Sequence, residues 1–198
     1  MSETATLEKP ESWLWHLLGL INPAIVMASN IVGGYWVASG FIYMLGLGPL
    51  LDMFFGRASK PKPPRESGRP FEALLYVHAF IQFAVLATLM YRASIDGAAW
   101  TTWVAALSTG ISSGVSGIIV AHELGHTKKG SFSWWVGRLN LLSVLYLHFT
   151  TEHNFTHHKH VSTVKDPATA LRDEWLWWFI AGTVPGQLRD AAAVHHLK

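Results

Sequence analysis

The amino-acid sequence predicts an all-α fold: a polytopic membrane bundle of four transmembrane helices, followed by interfacial helices that carry histidine-rich motifs. Half of the 198 residues are hydrophobic and only 14% are charged, whereas soluble domains carry about 25% charged residues. The charge deficit is concentrated in four apolar runs, each close to the roughly 20 residues that a helix needs to cross a bilayer. Runs of this length indicate a membrane protein.

The four predicted spans follow one another along most of the chain. We place them at about 13–35, 36–55, 72–91 and 99–121. Almost no loop separates the first two, so we expect a tight hairpin at Gly33–Gly34. The first apolar run is too long for a signal peptide and follows a polar, acidic stretch, so we expect it to be a retained span. The chain, 1–198, is predicted to be one membrane domain whose histidine-box region is 122–170.

Basic residues predict the orientation of these spans. The loop after the second span contains Arg57, Lys60, Lys62, Arg65 and Arg69, and the segment after the fourth contains Lys128, Lys129 and Arg138. By the positive-inside rule both segments face the cytoplasm, which predicts an inner (plasma) membrane protein with its histidine motifs on the cytoplasmic side. The basic surface is either a docking site for an acidic electron donor or ordinary positive-inside charge.

Two apolar segments follow the fourth span. Residues 132–151 are predicted to be either a fifth span or a helix that lies along the membrane interface, and Trp134 and Trp135 suit an interfacial position. Residues 174–185 are too short to span the bilayer, so we predict an interfacial helix that stops before Pro185.

The cysteine and histidine counts restrict the chemistry. The chain has no cysteine, which excludes disulfides, zinc ribbons, iron–sulfur clusters and a thiolate nucleophile. It has 11 histidines, seven of them between positions 122 and 160. Imidazole is a common ligand for transition metals, so this region predicts a metal site. We expect no nucleic-acid partner.

The first histidine box is HELGH at 122–126, directly after the fourth span. Residues at positions i and i+4 share one face of a helix, so His122 and His126 can reach the same ion. The pattern is also the HExxH of zinc metalloproteases, in which Glu123 would be the general base. This box alone leaves zinc hydrolysis and iron oxidation both open.

The second box, EHNFTHHKH at 152–160, adds three candidate ligands. His153 and His157 are again four residues apart, and His158 is turned about 100° from His157 on an α-helix, so it is expected to face a second metal. A protease-type zinc site takes three protein ligands and a water. Five imidazoles exceed that number and indicate a centre with more than one ion. His148, five residues before His153, is a candidate to orient a ligand.

These motifs resemble those of a known enzyme family. HELGHTKK at 122–129, EHNFTHHKHV at 152–161 and DPATA at 166–170 resemble the integral-membrane alkane hydroxylases, or alkane 1-monooxygenases. PLLDMFFG at 49–56 and LHFTTEHN at 147–154 are also similar to that family. The family is related to xylene monooxygenase and to membrane fatty acid desaturases, and the likeness runs along nearly the whole chain.

The resemblance implies a specific reaction and ligand set. It implies a non-haem di-iron centre that hydroxylates the terminal carbon of an alkane with dioxygen, using electrons from rubredoxin and a rubredoxin reductase. The implied ligands are His122, His126, His153, His157 and His158. Glu123 and Glu152 also match family positions, and we expect them to orient imidazoles by hydrogen bonding.

One departure from the family pattern adds two alternatives. Family members continue to an NYxEHYG-like segment and a third box that resembles LQRHSDHH, and neither occurs in these 198 residues. We therefore expect a truncated form of the hydroxylase. The alternatives are a truncated, non-catalytic metal-binding membrane subunit and an HExxH membrane zinc metalloprotease.

Overall fold

The structure, a computed structural model, describes residues 10, 12–55, 63 and 67–196. Across those residues the chain forms helices and no strand, which confirms the all-α prediction. The basic residues Arg57, Lys60, Lys62 and Arg65 lie outside the described residues, so the orientation based on them remains a prediction. The helices are α1 (Trp13–Val32), α2 (Gly34–Phe55), α3 (Arg69–Asp96), α4 (Trp100–Gly125), α5 (Phe132–Ser143), α6 (149–160) and α7 (Leu176–His196).

Helices α1 to α4 are long and apolar enough to cross a membrane, as the sequence predicts. The turn between α1 and α2 lies at Gly33 and Gly34, which have φ angles of 78° and 59°. Backbone with positive φ favours glycine because it lacks a Cβ atom, so these two residues account for a hairpin with almost no loop. Helix α3 extends to Asp96, five residues past the predicted end.

The longer α3 is explained by an ion pair in its last turns. The buried Arg92 guanidinium pairs with Asp96 at 2.9 Å, one helical turn later, and Thr101 at the start of α4 donates a hydrogen bond to the same carboxylate. Arg92 also donates from Nε to the carbonyl of Asn30 at 2.8 Å and from Nη2 to the carbonyl of Ile31 at 2.7 Å. These carbonyls belong to the last turn of α1, which has no intrahelical donors to satisfy them.

The first compact unit, Met1–Val120, has a series of polar contacts between its spans. Asn30 on α1 donates to Thr88 on α3 and to Thr109 on α4, both at 3.2 Å. Further along the same α3–α4 interface, Gln82 bonds Ser113 at 2.9 Å and His78 bonds Ser116 at 3.1 Å. Interhelical hydrogen bonds of this kind contribute roughly 0.6–2 kcal/mol each in membranes, and they fix the register of α3 against α4.

The second compact unit, Ala121–Lys198, contains both histidine boxes. The segment 132–151 is not one continuous helix: α5 ends at Ser143 and Leu145 adopts a positive φ of 56°. The 12 residues of α5 extend about 18 Å, too short for the hydrocarbon core. Of the two predicted alternatives, a fifth span and an interfacial helix, the structure favours a short helix that does not span the membrane.

The prediction that the last helix stops before Pro185 is wrong. Helix α7 continues through Pro185 to His196. Proline removes one backbone donor and its ring crowds a carbonyl of the preceding turn, a cost that packing beyond it offsets. Gln187 and Ala191 are buried, and Tyr146 donates to the Gln187 side chain at 2.6 Å. Tertiary contacts after the proline therefore stabilise the continuation of α7.

Candidate metal centre

Imidazoles from two helices converge in the second unit. His122 and His126 lie one turn apart at the end of α4, with 3.3 Å between their Nε2 atoms. His153 on α6 lies against His122, with ring centroids 4.3 Å apart, and His158 stacks on His126 at 5.0 Å. One ligand nitrogen from each of His122, His126 and His153 lies within 4.8 Å of the other two, a spacing that could hold a metal ion.

A π-helical turn at His153–His157 arranges the second box. In a π-turn the hydrogen bond joins residue i to i+5, so side chains five positions apart share a face. His153 and His158 meet in this way, with 3.0 Å between their Nε2 atoms. His158 therefore lies in the same cluster as His122 and His126, with its ring stacked on that of His126.

His157 stacks on His153, with ring centroids 5.0 Å apart, and also contacts a carboxylate. Its Nδ1 atom lies 2.9 Å from Oδ2 of Asp166, a carboxylate that is completely buried. The sequence interpretation did not include Asp166 among the site residues. The signal was present in the DPATA segment nine residues further on, since a carboxylate is a common hydrogen-bond partner of a metal-binding imidazole.

The electrostatics of the cluster favour a neutral imidazole at His153. Burial, together with the neighbouring histidines, lowers the pKa of His153 to about 3. Metal ligation requires neutral histidine, and two nitrogens bound to one ion at about 2.0–2.1 Å lie roughly 3–4 Å apart. The separations of 3.0 and 3.3 Å between Nε2 atoms fit that geometry. The donor set therefore fits a metal ion of the kind that imidazole prefers.

The three expected orienting residues have different surroundings. Glu123 is exposed, with an oxygen 3.9 Å from Nε2 of His122. Glu152 is buried and, among the described residues, neither of its carboxylate oxygens has a hydrogen-bond partner. Burial raises its pKa to about 7, an effect that nearby Asp166 and Asp190 reinforce and His157 opposes. Its carboxylate makes no hydrogen bond to a cluster imidazole.

His148 also lies apart from the cluster. Its ring packs edge-on against Tyr146 with centroids 4.5 Å apart. Its buried Nε2 atom has no partner within the described part of the chain, and burial lowers its pKa. The structure therefore shows no contact through which His148 would orient a cluster imidazole.

An open groove of about 580 Å³ runs beside His126. Its apolar lining includes Leu139, Leu142 and Leu147, and Lys129 and Arg138 also line it. The Arg138 guanidinium lies over the Trp134 ring at 4.9 Å. A concave, mostly apolar surface with a few polar groups is the usual form of a small-molecule site.

Comparison with known proteins finds relatives that match the region containing this site. The family model described as fatty acid desaturase matches residues 98–197, half of the chain and all of both boxes. The chain is 34% identical to alkane 1-monooxygenase of Pseudomonas putida, over 80% of this chain and 43% of that protein. It is 32% identical to alkane 1-monooxygenase 1 of Alcanivorax borkumensis, over 96% of this chain and 52% of that protein.

A third relative gives the same picture. Alkane 1-monooxygenase of Ectopseudomonas oleovorans is 33% identical over 89% of this chain and 46% of its own length. The chain thus spans about half the length of the curated relatives it matches. With the family model covering half of its residues, the chain belongs to the fatty acid desaturase family, and within it the similarity is to the integral-membrane alkane hydroxylases.

Proposed function

We propose that this chain is a membrane non-haem di-iron monooxygenase that hydroxylates the terminal carbon of an alkane. The observation that carries the proposal is the convergence of four imidazoles, His122, His126, His153 and His158, from α4 and α6. The reaction converts alkane, dioxygen, two electrons and two protons to alcohol and water. The names of the relatives support this reaction class.

Five histidines are assigned as ligands in this proposal. The four imidazoles of the cluster lie against one another. His157, which bonds Asp166 through Nδ1, has Nε2 left for an ion. Five neutral nitrogen donors exceed what one ion with open positions needs, which favours two ions over one. When bound, iron would supply the reductive activation of dioxygen that oxidation of an unactivated C–H bond requires.

The chain's own residues contribute position and an apolar surface. The groove beside His126 offers Leu139, Leu142 and Leu147 to an apolar chain. Burying an alkane there removes water from both surfaces, at about 25 cal/mol for each Å² of apolar area. An alkane has no polar group that could orient it. The shape of the groove and the position of His126 in its wall would therefore select the carbon that reacts.

The proposal includes an electron source besides these 198 residues, which contain no cysteine that could bind a redox centre. We assign rubredoxin, reduced by a rubredoxin reductase, as the donor. Lys128 and Lys129 follow the first box and are exposed, so they suit an acidic protein approaching from the cytoplasmic side of the inner membrane. Charge complementarity of this kind mainly raises the association rate.

The test measures product and metal together. The chain, purified in detergent and loaded with iron(II) under anaerobic conditions, is mixed with rubredoxin, its reductase, a reductant and octane. We expect 1-octanol and about two iron ions per chain, and loss of both in His126→Ala. Iron binding without any alcohol would favour the non-catalytic subunit instead.

The zinc metalloprotease is less well supported by the geometry. A protease-type site leaves His153 and His158 without a role, although both contact the first-box histidines. Peptidase activity that is lost in Glu123→Gln, together with a single zinc ion per chain, would overturn the hydroxylase proposal.

A further inference from the structure

We propose that Asp166 is a positioning residue that fixes His157 as a metal ligand, and that α7 holds Asp166 in place through Pro167. The inference rests on the proposed metal centre, and it assigns a structural reason to the DPAT sequence at 166–169. None of these four residues belongs to the predicted ligand set.

The Asp166 carboxylate is held from both of its oxygens. Oδ1 accepts a hydrogen bond from the backbone N–H of Ala168 at 3.0 Å. Oδ2 accepts one from the Thr169 hydroxyl and lies 2.9 Å from His157 Nδ1. The side chain is completely buried, so it has no free rotamer into solvent. His157 therefore meets an acceptor whose position the loop has already determined.

This contact selects one tautomer of the imidazole. An ionised carboxylate can only accept hydrogen bonds, so the proton of neutral His157 resides on Nδ1. The lone pair then lies on Nε2, the atom that a metal would use. A carboxylate in this position also makes the imidazole a stronger donor to the ion, and losing such a partner typically costs about 10–100-fold in metal affinity.

The loop that carries Asp166 is tied to two other places. The Thr169 hydroxyl that donates to Asp166 also accepts the backbone N–H of Ser162 at 3.0 Å, which closes the loop after the second box. Pro167 lies against Gly186 of α7 so closely that a Cβ atom at position 186 would come within 2.5 Å of the Pro167 Cβ. A displacement of α7 at Gly186 is therefore transmitted to the residue beside Asp166.

A double-mutant cycle on the full chain tests the first step. The probe is cobalt(II) alone, titrated against a chromophoric chelator, with metal per chain measured in parallel. We expect Asp166→Ala to weaken cobalt binding by about 10–100-fold. The Asp166→Ala/His157→Ala double variant should bind no more weakly than His157→Ala, because Asp166 acts through that imidazole. Asp166→Asn keeps a hydrogen-bond acceptor of the same shape and should restore part of the affinity.

A matched pair of glycine variants tests the second step. Gly186→Ala places its methyl group against Pro167, whereas Gly182→Ala, one turn earlier on the same helix, meets nothing within 4 Å. Both changes favour the helix equally by propensity. We expect Gly186→Ala to weaken cobalt binding severalfold and Gly182→Ala to leave it unchanged.

The outcomes separate this inference from the hydroxylase proposal. Wild-type affinity in Asp166→Ala, or losses from Asp166→Ala and His157→Ala that add in full, would overturn the role of Asp166. Equal behaviour of the two glycine variants would overturn the role of α7. The variants could show the expected cobalt affinities while the chain forms no alcohol. That result would contradict the hydroxylase proposal but would support the positioning role of Asp166.

Discussion

His158 lies beside His153, with 3.0 Å between their Nε2 atoms, although they are five positions apart along α6. The π-turn makes His158 a member of the cluster. Loss of an orienting partner costs about 10–100-fold in metal affinity, and His158→Ala, which removes a ligand, should weaken cobalt(II) binding by more than that. His160→Ala is the control, because His160 lines a different surface, beside Lys165 and Asp190. Equal affinities of the two variants in a chelator competition would contradict the π-turn arrangement.

Glu152 gives the metal-free protein a predictable pH dependence. Its pKa is raised from 4.5 to about 7, chiefly by burial, so the folded state retains a proton that the unfolded state has lost. Stability therefore falls as the pH rises from about 4.5 to 7, and the loss persists above that range. Glu152→Gln removes the buried charge and should raise the melting temperature at pH 8 but not at pH 4.

The matched control for that prediction is Glu123→Gln. Its side chain is 57% exposed, so neutralising it removes no buried charge. We expect equal melting temperatures for Glu123→Gln and wild type at both pH values. Thermal unfolding in detergent is monitored by tryptophan fluorescence. A Glu152→Gln variant that is no more stable than wild type at pH 8 would show that the carboxylate finds a partner in solution.

The α1–α2 hairpin provides a second matched pair of glycines. A Cβ atom at position 33 would come within 2.5 Å of the Arg92 guanidinium carbon, whereas one at position 34 meets nothing within 4 Å. Both residues have positive φ, so alanine at either position is strained by about 1 kcal/mol or more. Gly33→Ala should lose a further 1–3 kcal/mol, roughly the cost of overpacking. Comparing the unfolding of both variants in SDS measures the difference.

The Tyr146–Gln187 hydrogen bond predicts how firmly α7 is attached. Tyr146→Phe leaves the buried Gln187 carbonyl oxygen without its 2.6 Å donor, which should cost about 1–3 kcal/mol. Tyr35→Phe, at a residue that is 87% exposed, should cost nothing measurable. Proteolysis of α7 would be faster in the first variant, and equal rates in both would indicate that other contacts attach the helix.

The spans and the ligand region follow from the sequence because their signals are long or repeated. Runs of about 20 apolar residues have few structural alternatives. The predicted end of α3 at residue 91 was too early because the charged residues Arg92 and Asp96 are typical of a loop between spans. Their burial as an ion pair depends on carbonyls of α1, which a local pattern does not reveal. The polar contacts between spans, such as Asn30 with Thr109, have the same non-local origin.

The arrangement within the second box was harder to predict. HNFTH matches the four-residue spacing of an α-helix, and nothing in its composition indicates a π-turn. The pairing of His157 with Asp166 depends on the loop after α6, which brings together two residues that are nine positions apart. The continuation of α7 past Pro185 depends on Gln187 and Ala191 being buried. In each case a tertiary contact overrides the local preference.

Arg92 links the order of synthesis to the order of assembly. Its carbonyl partners, Asn30 and Ile31, are translated about 60 residues before it, so both are already present when Arg92 is synthesised. The third span thus enters the bilayer most readily if the first is still beside the translocon to receive the guanidinium. Separating α1 from α3 on different polypeptides would leave the guanidinium and the two carbonyls without each other until the pieces met.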